Sequence, residues 1–307
     1  MQDAQRENRK KRASIWAVGG GKGGVGKSVV STLMGFWLAK MGHRTILVDA
    51  DLGGANLHIL LGIKSPPKTV NDYIIKKYAS LEEICIHTPV DKLRLMSGAS
   101  EILSLANLQF AQKNKIIQGL AAIDADYIIL DLGAGTSYNV LDFFLAAHRK
   151  IVVTSPQPVA IQNAYAFVRN AVYRRLSRLT SQKPSLSAIV KSAMDPRNSL
   201  QVRTLNELLT AVESDGNQET AAALARKIAG IQPMLITNMV KVPRDENAGR
   251  IVQMVSEKYL GIQPVHLGGI PLDNQLNDLV SSMTPLNNIE QSSRAFEAVY
   301  HLTSRLL

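Results

Sequence analysis

One short segment of the chain has the residue types and spacing of a phosphate-binding loop. Residues 21–28 read GKGGVGKS and match the pattern G-x-x-x-x-G-K-[ST]. Glycines let consecutive backbone N–H groups curl around phosphate oxygens without a Cβ in the way. In this pattern Lys27 reaches the β- and γ-phosphates, and the Ser28 hydroxyl is a magnesium ligand. The segment therefore predicts a site for ATP or ADP with Mg²⁺, formed by Gly21, Lys22, Gly23, Gly24, Val25, Gly26, Lys27 and Ser28.

Carboxylates near two apolar runs could serve the same ligand. Asp49 ends the run TILVD, Asp51 lies two residues further on, and Asp131 ends the run YIILD. Phosphoryl transfer requires an oriented water molecule and neutralisation of the developing charge. Asp51 is the predicted catalytic residue that positions this water, because it follows the strand end on a loop. The predicted magnesium residues are Ser28, Asp49 and Asp131. A carboxylate at a buried strand end is costly without a cation, which favours this role for the two aspartates. The competing role for Asp131 is a helix N-cap.

The glycine-rich segment lies between a strand and a helix in a repeating pattern. A buried strand is predicted at 14–19, followed by a helix from Lys27 to Met41 that ends at Gly42. Similar apolar runs, each followed by a polar or glycine-containing loop, occur at 45–49, 127–131, 151–154, 234–238 and 265–269. This alternation predicts an α/β fold of three layers, with a mostly parallel twisted sheet and helices on both faces. Ligands of such sheets bind beyond the carboxyl ends of the strands.

The predicted organisation is one P-loop ATPase domain over 13–307 that follows a basic flexible tail over 1–12. Residues 181–232 interrupt the alternation of strands and helices. Apolar residues at helical spacing on both sides of a turn at 215–217 predict an inserted helical hairpin. This insertion is too short to bury a core of its own. The final stretch, 293–307, is predicted to be a helix that packs on the core.

A second lysine inside the loop points to a particular family. Lys22 lies five residues before Lys27, and with it the loop resembles the deviant phosphate loop of the MinD/ParA family of the SIMIBI class. That family includes the flagellar regulators FlhG/FleN, with their YlxH-like members. Four more segments are similar to it: VDADLGGAN at 48–56, YIILDLGAGT at 127–136, TNMV at 237–240 and LGGIPLD at 267–273. The last two are similar to FlhG/FleN in particular.

The resemblance implies a slow, partner-stimulated ATPase that forms a homodimer when it binds ATP. Lys22 would reach the phosphates of the ATP held by the facing subunit, which makes it a catalytic residue together with Asp51. Asn238 would contact the adenine base, with Pro271 and Asp273 lining the same pocket. A turn residue at a strand end is the alternative role for Asn238. Switches of this kind position or count a cellular structure, and the resemblance favours the flagellum.

Other functions use the same scaffold. A partition ATPase of the ParA type would bind DNA without sequence preference. An ATP-dependent synthetase would need a second substrate pocket, and the sequence has no cluster of His, Cys or Lys to build one. An iron–sulfur carrier would need paired ligating cysteines, whereas Cys85 is the only cysteine of the chain.

The net charge of +10 is unevenly distributed. Between Asp142 and Asp195 the sequence has no carboxylate, but it has eight lysines and arginines. Such a stretch attracts an anionic membrane surface or non-specific DNA, and a solvated face is the alternative. The residues predicted to make this contact are Arg169, Arg174, Arg175 and Arg178. A regulatory protein is the partner predicted for the insertion at 181–232.

Composition limits the compartment and the class of protein. No window of eighteen apolar residues occurs, so the sequence predicts no transmembrane segment. The first dozen residues are too polar for a secretory signal, and one cysteine excludes a disulfide within the chain. These features predict a cytoplasmic protein, which could lie peripherally on the inner face of the membrane.

Overall fold

The computed structural model describes residues 12–51, 54, 56–98, 110–194, 202–214, 216–288 and 292–307. Within these residues one sheet contains the strands β1 (Ser14–Gly19), β2 (Thr45–Asp49), β3 (Ile86–His87), β4 (Leu93–Met96), β5 (Tyr127–Asp131), β6 (Arg149–Thr154), β7 (Pro233–Val240) and β8 (Val265–Pro271). The strand order is β3-β4-β2-β5-β1-β6-β7-β8. β3 is antiparallel to β4, whereas β2 is parallel to β4 and β5, and β7 is parallel to β6 and β8. The predicted mostly parallel sheet is confirmed.

Helices connect and cover the strands. In the described ranges they are α1 (Lys27–Lys40), α2 (Leu57–Leu60), α3 (Val70–Ile74), α4 (Phe110–Leu120), α5 (Tyr138–Ala146), α6 (Pro158–Thr180), α7 (Pro184–Met194), α8 (Leu205–Ser214), α9 (Gln218–Ala229), α10 (Asn247–Leu260), α11 (Asn274–Ser281) and α12 (Arg294–Ser304). None of these helices has both the length and the apolar content that a bilayer crossing requires. Of the predicted tail, only Arg12 falls within the described residues, and it is exposed.

The strands formed by the apolar runs are buried in the sheet. All five residues of β2 and four of the five in β5 are buried, as expected for a parallel sheet covered on both faces. The runs predicted at 14–19, 45–49 and 127–131 coincide with β1, β2 and β5, and β6, β7 and β8 extend beyond their predicted cores. β3 and β4 have no counterpart in the prediction, because two and four residues are too short for a periodic signal.

The chain divides into two compact units. The first comprises residues up to 17, 28–133 and 274–307, and the second comprises 18–27 and 134–273. In the first unit, the indole N–H of Trp37 on α1 donates to the carbonyl of Phe296 on α12 at 2.9 Å. Phe296 and Val299 of α12 are buried. The helix predicted over 293–307 is therefore confirmed as part of the core, while the boundary of one domain over 13–307 stays a prediction.

The second unit contains the insertion. α8 and α9 form the predicted pair of helices on either side of the turn near Gly216, but α7 precedes them within the same segment. The expected two-helix hairpin is therefore a group of three helices. Leu186 of α7, Val212 of α8 and Ala221 of α9 form a buried apolar cluster, which explains why the third helix is needed.

Candidate nucleotide-binding site

The glycine-rich loop has the shape that its sequence predicts. Gly24 and Gly26 adopt positive φ values of 79° and 87°, which side chains rarely allow. A Cβ on Gly21 would overlap the carbonyl oxygen of Asn163 in α6, and a Cβ on Gly26 would overlap the amide nitrogen of Asn238. Three of the four glycines are therefore required by backbone conformation or close packing, independently of any ligand.

The two lysines of the loop have different environments. Lys27, the first residue of α1, is only 7% exposed, and its Nζ donates to the backbone carbonyl of Lys22 at 3.0 Å. The Lys22 side chain is exposed. Lys27 thus closes the loop from within, next to the N-terminus of α1, where backbone N–H groups and the helix dipole favour an anion.

Asn238 connects the end of β7 to this loop. Its Nδ2 donates to the carbonyl of Val25 at 2.9 Å, and both residues are buried. This bond uses one of the two Nδ2 hydrogens and does not involve the amide oxygen. The sequence predicted contact with a base and did not predict the bond to the loop, since nothing in the local pattern relates positions 213 residues apart.

A cavity of about 360 Å³ lies in the same unit. Its lining residues are Ser155, Pro156, Gln157, Met239, Lys241, Asp245 and Leu272. Met239 follows Asn238 directly and has a positive φ of 62°, a strained conformation for methionine. Pro271 pairs with Val240 across β7 and β8. Pro271 and Asp273 flank the lining residue Leu272 but do not themselves line the cavity, so their predicted role there stays a prediction.

Asp49 holds the loop that carries Asp51. One carboxylate oxygen of Asp49 accepts from the Asp51 N–H at 3.2 Å, and the other accepts from the Leu57 N–H at 3.0 Å. The side chain is 1% exposed, and burial raises the pKa of Asp49 to about 7, with repulsion from Asp131 and Asp51 adding to the shift. Asp49 is therefore an anchor for both ends of this loop.

Asp131 and Asp51 lie close to Asp49 within the first unit. Asp131 pairs with Asp49 in the register of β2 and β5, is 2% exposed, and accepts a hydrogen bond from the Ser31 hydroxyl at 2.9 Å. The Asp51 carboxylate lies against Gly133, where an added Cβ would approach the carboxyl carbon to 3.0 Å. Three carboxylates predicted from the ends of two apolar runs are thus brought together. Residues 52, 53 and 55 of the same motif lie outside the described residues.

This set of carboxylates fits a magnesium ion held mainly by phosphate and water. In the described part of the chain, no three His, Cys, Asp or Glu side chains are arranged to hold a metal on their own. Mg²⁺ usually keeps several waters and takes one or two carboxylates together with substrate phosphates. Burial, with a smaller contribution from Asp131 and Asp51, raises the pKa of Asp49, and a nearby divalent cation would favour its charged form.

Some of the arginines predicted to contact DNA or a membrane are instead buried or paired within the protein. Nε and one terminal nitrogen of Arg174 donate to Asp142 at 2.8 and 2.7 Å, and the guanidinium lies 4.2 Å from the centre of the Tyr138 ring. Asp142 is 1% exposed, and Arg178 lies 3.6 Å from it. The Nε of Arg169 is buried. The prediction of an open arginine surface is therefore wrong for Arg174, because a buried carboxylate on α5 neutralises it.

Comparison with known proteins places the chain in a family. A family model described as "ParA: NUBPL iron-transfer P-loop NTPase" matches residues 11–172, more than half of the chain. The antiactivator FleN of Pseudomonas aeruginosa is 36% identical over 157 residues, which are 50% of this chain and 55% of FleN. The flagellum site-determining protein YlxH of Helicobacter pylori is 34% identical over 164 residues, or 50% of this chain and 52% of YlxH. The chain thus spans about half the length of these curated relatives.

A solved structure supports the same assignment at the level of the fold. The septum site-determining protein MinD from Pyrococcus horikoshii, in complex with Mg-ADP, superimposes with a TM-score of 0.64 at 19% identity, covering 96% of each chain. Its similarity to this chain shows the fold alone. The family match, the glycine-rich loop and the parallel sheet agree, and the chain belongs to the ParA family of P-loop NTPases.

Proposed function

We propose that this chain is an ATPase of the MinD/ParA type that forms a homodimer with ATP and returns to a monomer after hydrolysis. The observation that carries the proposal is the loop with two lysines in different roles. Lys27 is buried and bonded to the backbone of its own loop, whereas the Lys22 side chain is exposed. A lysine that points to solvent from a phosphate loop is available to the phosphates of a facing subunit.

The chain's own residues supply phosphate and magnesium binding. The backbone N–H groups of 21–28 would hold the phosphates, and Lys27 would exchange the Lys22 carbonyl for the β- and γ-phosphates. Ser28 would be a magnesium ligand, and Asp49 and Asp131 would hold the ion through water. Bound magnesium neutralises charge that develops on the phosphates during transfer.

Asp51 orients the water that attacks the γ-phosphate. It lies on a loop whose two ends are bonded to Asp49, and its carboxylate contacts Gly133 on the loop after β5. The absence of a side chain on Gly133 lets these loops approach each other. If both loops contact the γ-phosphate, its loss on hydrolysis would let them rearrange and release the dimer.

The base of the nucleotide occupies the cavity of about 360 Å³. The bond from Nδ2 to Val25 fixes the orientation of the Asn238 amide, and its oxygen accepts from the 6-amino group of adenine. Guanine presents an oxygen at this position, so the same contact disfavours GTP. Pro271 and Asp273 approach the base once the cavity is filled.

The names of the relatives suggest what the switch controls. FleN is an antiactivator and YlxH determines a flagellar site. We infer that this chain regulates the number or position of a structure of the same kind, and that turnover is slow until a partner protein binds. The insertion of α7, α8 and α9 is the surface proposed for that partner, and the cytoplasm is the proposed compartment.

Iron transfer, named in the description of the family model, is not favoured. Cys85 is the only cysteine, its thiol donates to the Leu81 carbonyl at 3.4 Å, and burial raises the pKa of Cys85 to about 11. A cluster ligand must be an accessible thiolate. DNA partition is not favoured either, because Arg174 is paired with Asp142.

Three variants, compared for ATP affinity, for molecular mass with ATP and for phosphate release, test the proposal. Lys27→Ala should abolish ATP binding, whereas Lys22→Ala should bind ATP but neither dimerise nor hydrolyse it. Lys227→Ala, which removes an exposed lysine on α9, is the matched control and should behave like the unaltered protein. Full activity of Lys22→Ala, or unchanged ATP affinity of Lys27→Ala, would contradict the proposal.

A further inference from the structure

A second cavity, of about 540 Å³, lies within the second unit. Arg250, Gln253 and Glu257 line it from α10, where spacings of three and four residues place them on one side of the helix. Pro264 and Val265, at the start of β8, line it as well. The cavity therefore lies at the amino end of β8, whereas the cavity proposed for the base lies at the carboxyl ends of β7 and β8. We name the larger one the α10 cavity.

His266, which also lines the α10 cavity, is held in place by its neighbours. It is half-buried, and its Nε2 lies 3.3 Å from the hydroxyl oxygen of the buried Thr237. A Cβ on Gly249 of α10 would overlap the imidazole ring, so this glycine lets α10 approach β8. Burial lowers the pKa of His266 below its usual range, so the ring is neutral near pH 7. The histidine thus adds no charge to the cavity.

The two charged side chains that line the α10 cavity are unpaired. In the part of the chain that the structure describes, neither the Arg250 guanidinium nor the Glu257 carboxylate forms an ion pair or a hydrogen bond. Within the same residues Glu246, one turn before Arg250, forms no ion pair with it either. Seven positions separate Arg250 from Glu257, which corresponds to about 10 Å along the helix axis. The cavity thus presents one positive and one negative charge, two helical turns apart.

Three side-chain amides accompany these charges. Gln232, Gln253 and Gln263 line the α10 cavity, and in the described ranges none of the three amides bonds to another group. Each amide can both donate and accept hydrogen bonds, and a peptide group does the same. One cation, one anion and three amides are together complementary to a short peptide with charged termini.

We propose that the α10 cavity binds a free peptide of about three residues. Three residues of extended chain span about 10 Å, which matches the separation of Arg250 and Glu257 along α10. Arg250 binds the terminal carboxylate through two parallel hydrogen bonds, and Glu257 binds the terminal ammonium group. The three glutamines bond to the peptide groups between the termini, and the volume of the cavity is in the range of small-ligand sites. The proposal does not depend on ATP binding or dimerisation.

Other classes of ligand fit the α10 cavity less well. A single amino acid carries both charges within one residue, so it is too short to reach Arg250 and Glu257 together. A phosphate ester would be attracted by Arg250 but repelled by Glu257. A neutral sugar could bond to the glutamines, but it would leave both charged side chains without an ionic partner. A short peptide satisfies the amides and both charges.

Calorimetric titration of the full chain with trialanine, without nucleotide or magnesium, tests the proposal. Trialanine amide lacks the terminal carboxylate, N-acetyl-trialanine lacks the terminal ammonium group, and alanine is too short to reach both charged side chains. Each of these three ligands should bind about tenfold more weakly than trialanine, because each loses a hydrogen-bonded contact between charged groups. Since no nucleotide is present, failure of this test would leave the proposed ATPase function intact.

Two variants assign each terminus of the peptide to its partner. Arg250→Gln should weaken the binding of trialanine about tenfold and leave the affinity for trialanine amide unchanged. Glu257→Gln should weaken the binding of trialanine to a similar extent and leave the affinity for N-acetyl-trialanine unchanged. The matched controls are Arg226→Gln on α9 and Glu213→Gln on α8, which remove the same charges from exposed positions outside the cavity.

The expected result is weaker trialanine binding in both cavity variants and unchanged binding in both controls. Absence of trialanine binding to the unaltered protein would overturn the proposal. Equal affinities for trialanine and its two blocked forms would also overturn it, because the charged termini would then not be recognised. Equal losses in the cavity variants and the matched controls would contradict it as well, since binding would then depend on the overall charge and not on the α10 cavity.

Discussion

The side-chain amide of Asn238 donates to the carbonyl of Val25 across 2.9 Å and joins the end of β7 to the phosphate loop. Both residues are buried, and the next loop residue, Gly26, has no room for a Cβ beside the same amide. The conformation of the loop thus depends on a residue 213 positions later in the chain. Asn238 is a positioning residue for phosphate binding in addition to its proposed contact with the base.

Replacement of Asn238 separates these two roles. Asn238→Ala leaves the buried Val25 carbonyl without this donor, which costs roughly 1–3 kcal/mol. We expect about tenfold weaker binding of both ATP and inorganic tripolyphosphate, which has no base. Gln157→Ala, which alters only the lining of the cavity, should weaken the binding of ATP and leave the affinity for tripolyphosphate unchanged. Calorimetric titration measures the affinity for both ligands. If Asn238→Ala weakens only the binding of ATP, the residue contacts the base and does not position the phosphate loop.

The pair formed by Arg174 and Asp142 is expected to stabilise the fold. Arg174→Met removes the guanidinium that donates two hydrogen bonds to a carboxylate that is 1% exposed, and removal of one partner of a buried pair costs about 3 kcal/mol. Arg175→Met, on the same helix, is the control and should change the free energy of unfolding by less than about 0.5 kcal/mol. Urea unfolding measures both variants. Equal changes in the free energy of unfolding in both variants would show that the ion pair between Arg174 and Asp142 does not stabilise the fold.

The fold was largely predictable because its strands have a strong local signal. The runs that correspond to β1, β2 and β5 have an uninterrupted apolar centre, and the helix α1 begins at the predicted Lys27. The two-residue strand β3 has too few side chains to form a pattern. Helix α7 was missed because the interpretation rested on the apolar residues of α8 and α9, although its Leu186 packs with Val212 of α8 and Ala221 of α9.

The candidate site was predictable where chemistry follows a motif and unpredictable where it depends on distant packing. Strand-end positions brought Asp49 and Asp131 into register, as expected from parallel pairing. No pattern in the sequence indicated that Asp142 would neutralise Arg174, 32 residues away, or that Asn238 would bond to the loop. Those contacts arise from how helices and strands pack, which local spacing does not encode.

Burial of Asp49 predicts a stability that depends on pH. The pKa of Asp49 is about 7 in the folded chain and about 3.9 when the chain is unfolded. Between these values the folded state binds more protons, so the free energy of unfolding should fall as pH rises from about 4 to about 7, by at most about 4 kcal/mol. Urea unfolding without nucleotide or magnesium, near pH 5 and near pH 7.5, measures the change. Asp49→Asn is the comparison, and the same decline in both proteins would assign the effect to other groups.

The oligomeric state of Asp51→Ala tests the central claim most directly. This variant lacks the carboxylate proposed to orient water but keeps the loop that binds phosphate, so it should bind Mg-ATP and remain in the ATP-bound state. Size-exclusion chromatography with light scattering should give the mass of two chains with Mg-ATP and of one chain with Mg-ADP. Adding Lys22→Ala to the variant should restore the mass of one chain with Mg-ATP. A single chain for Asp51→Ala under saturating Mg-ATP would contradict the account.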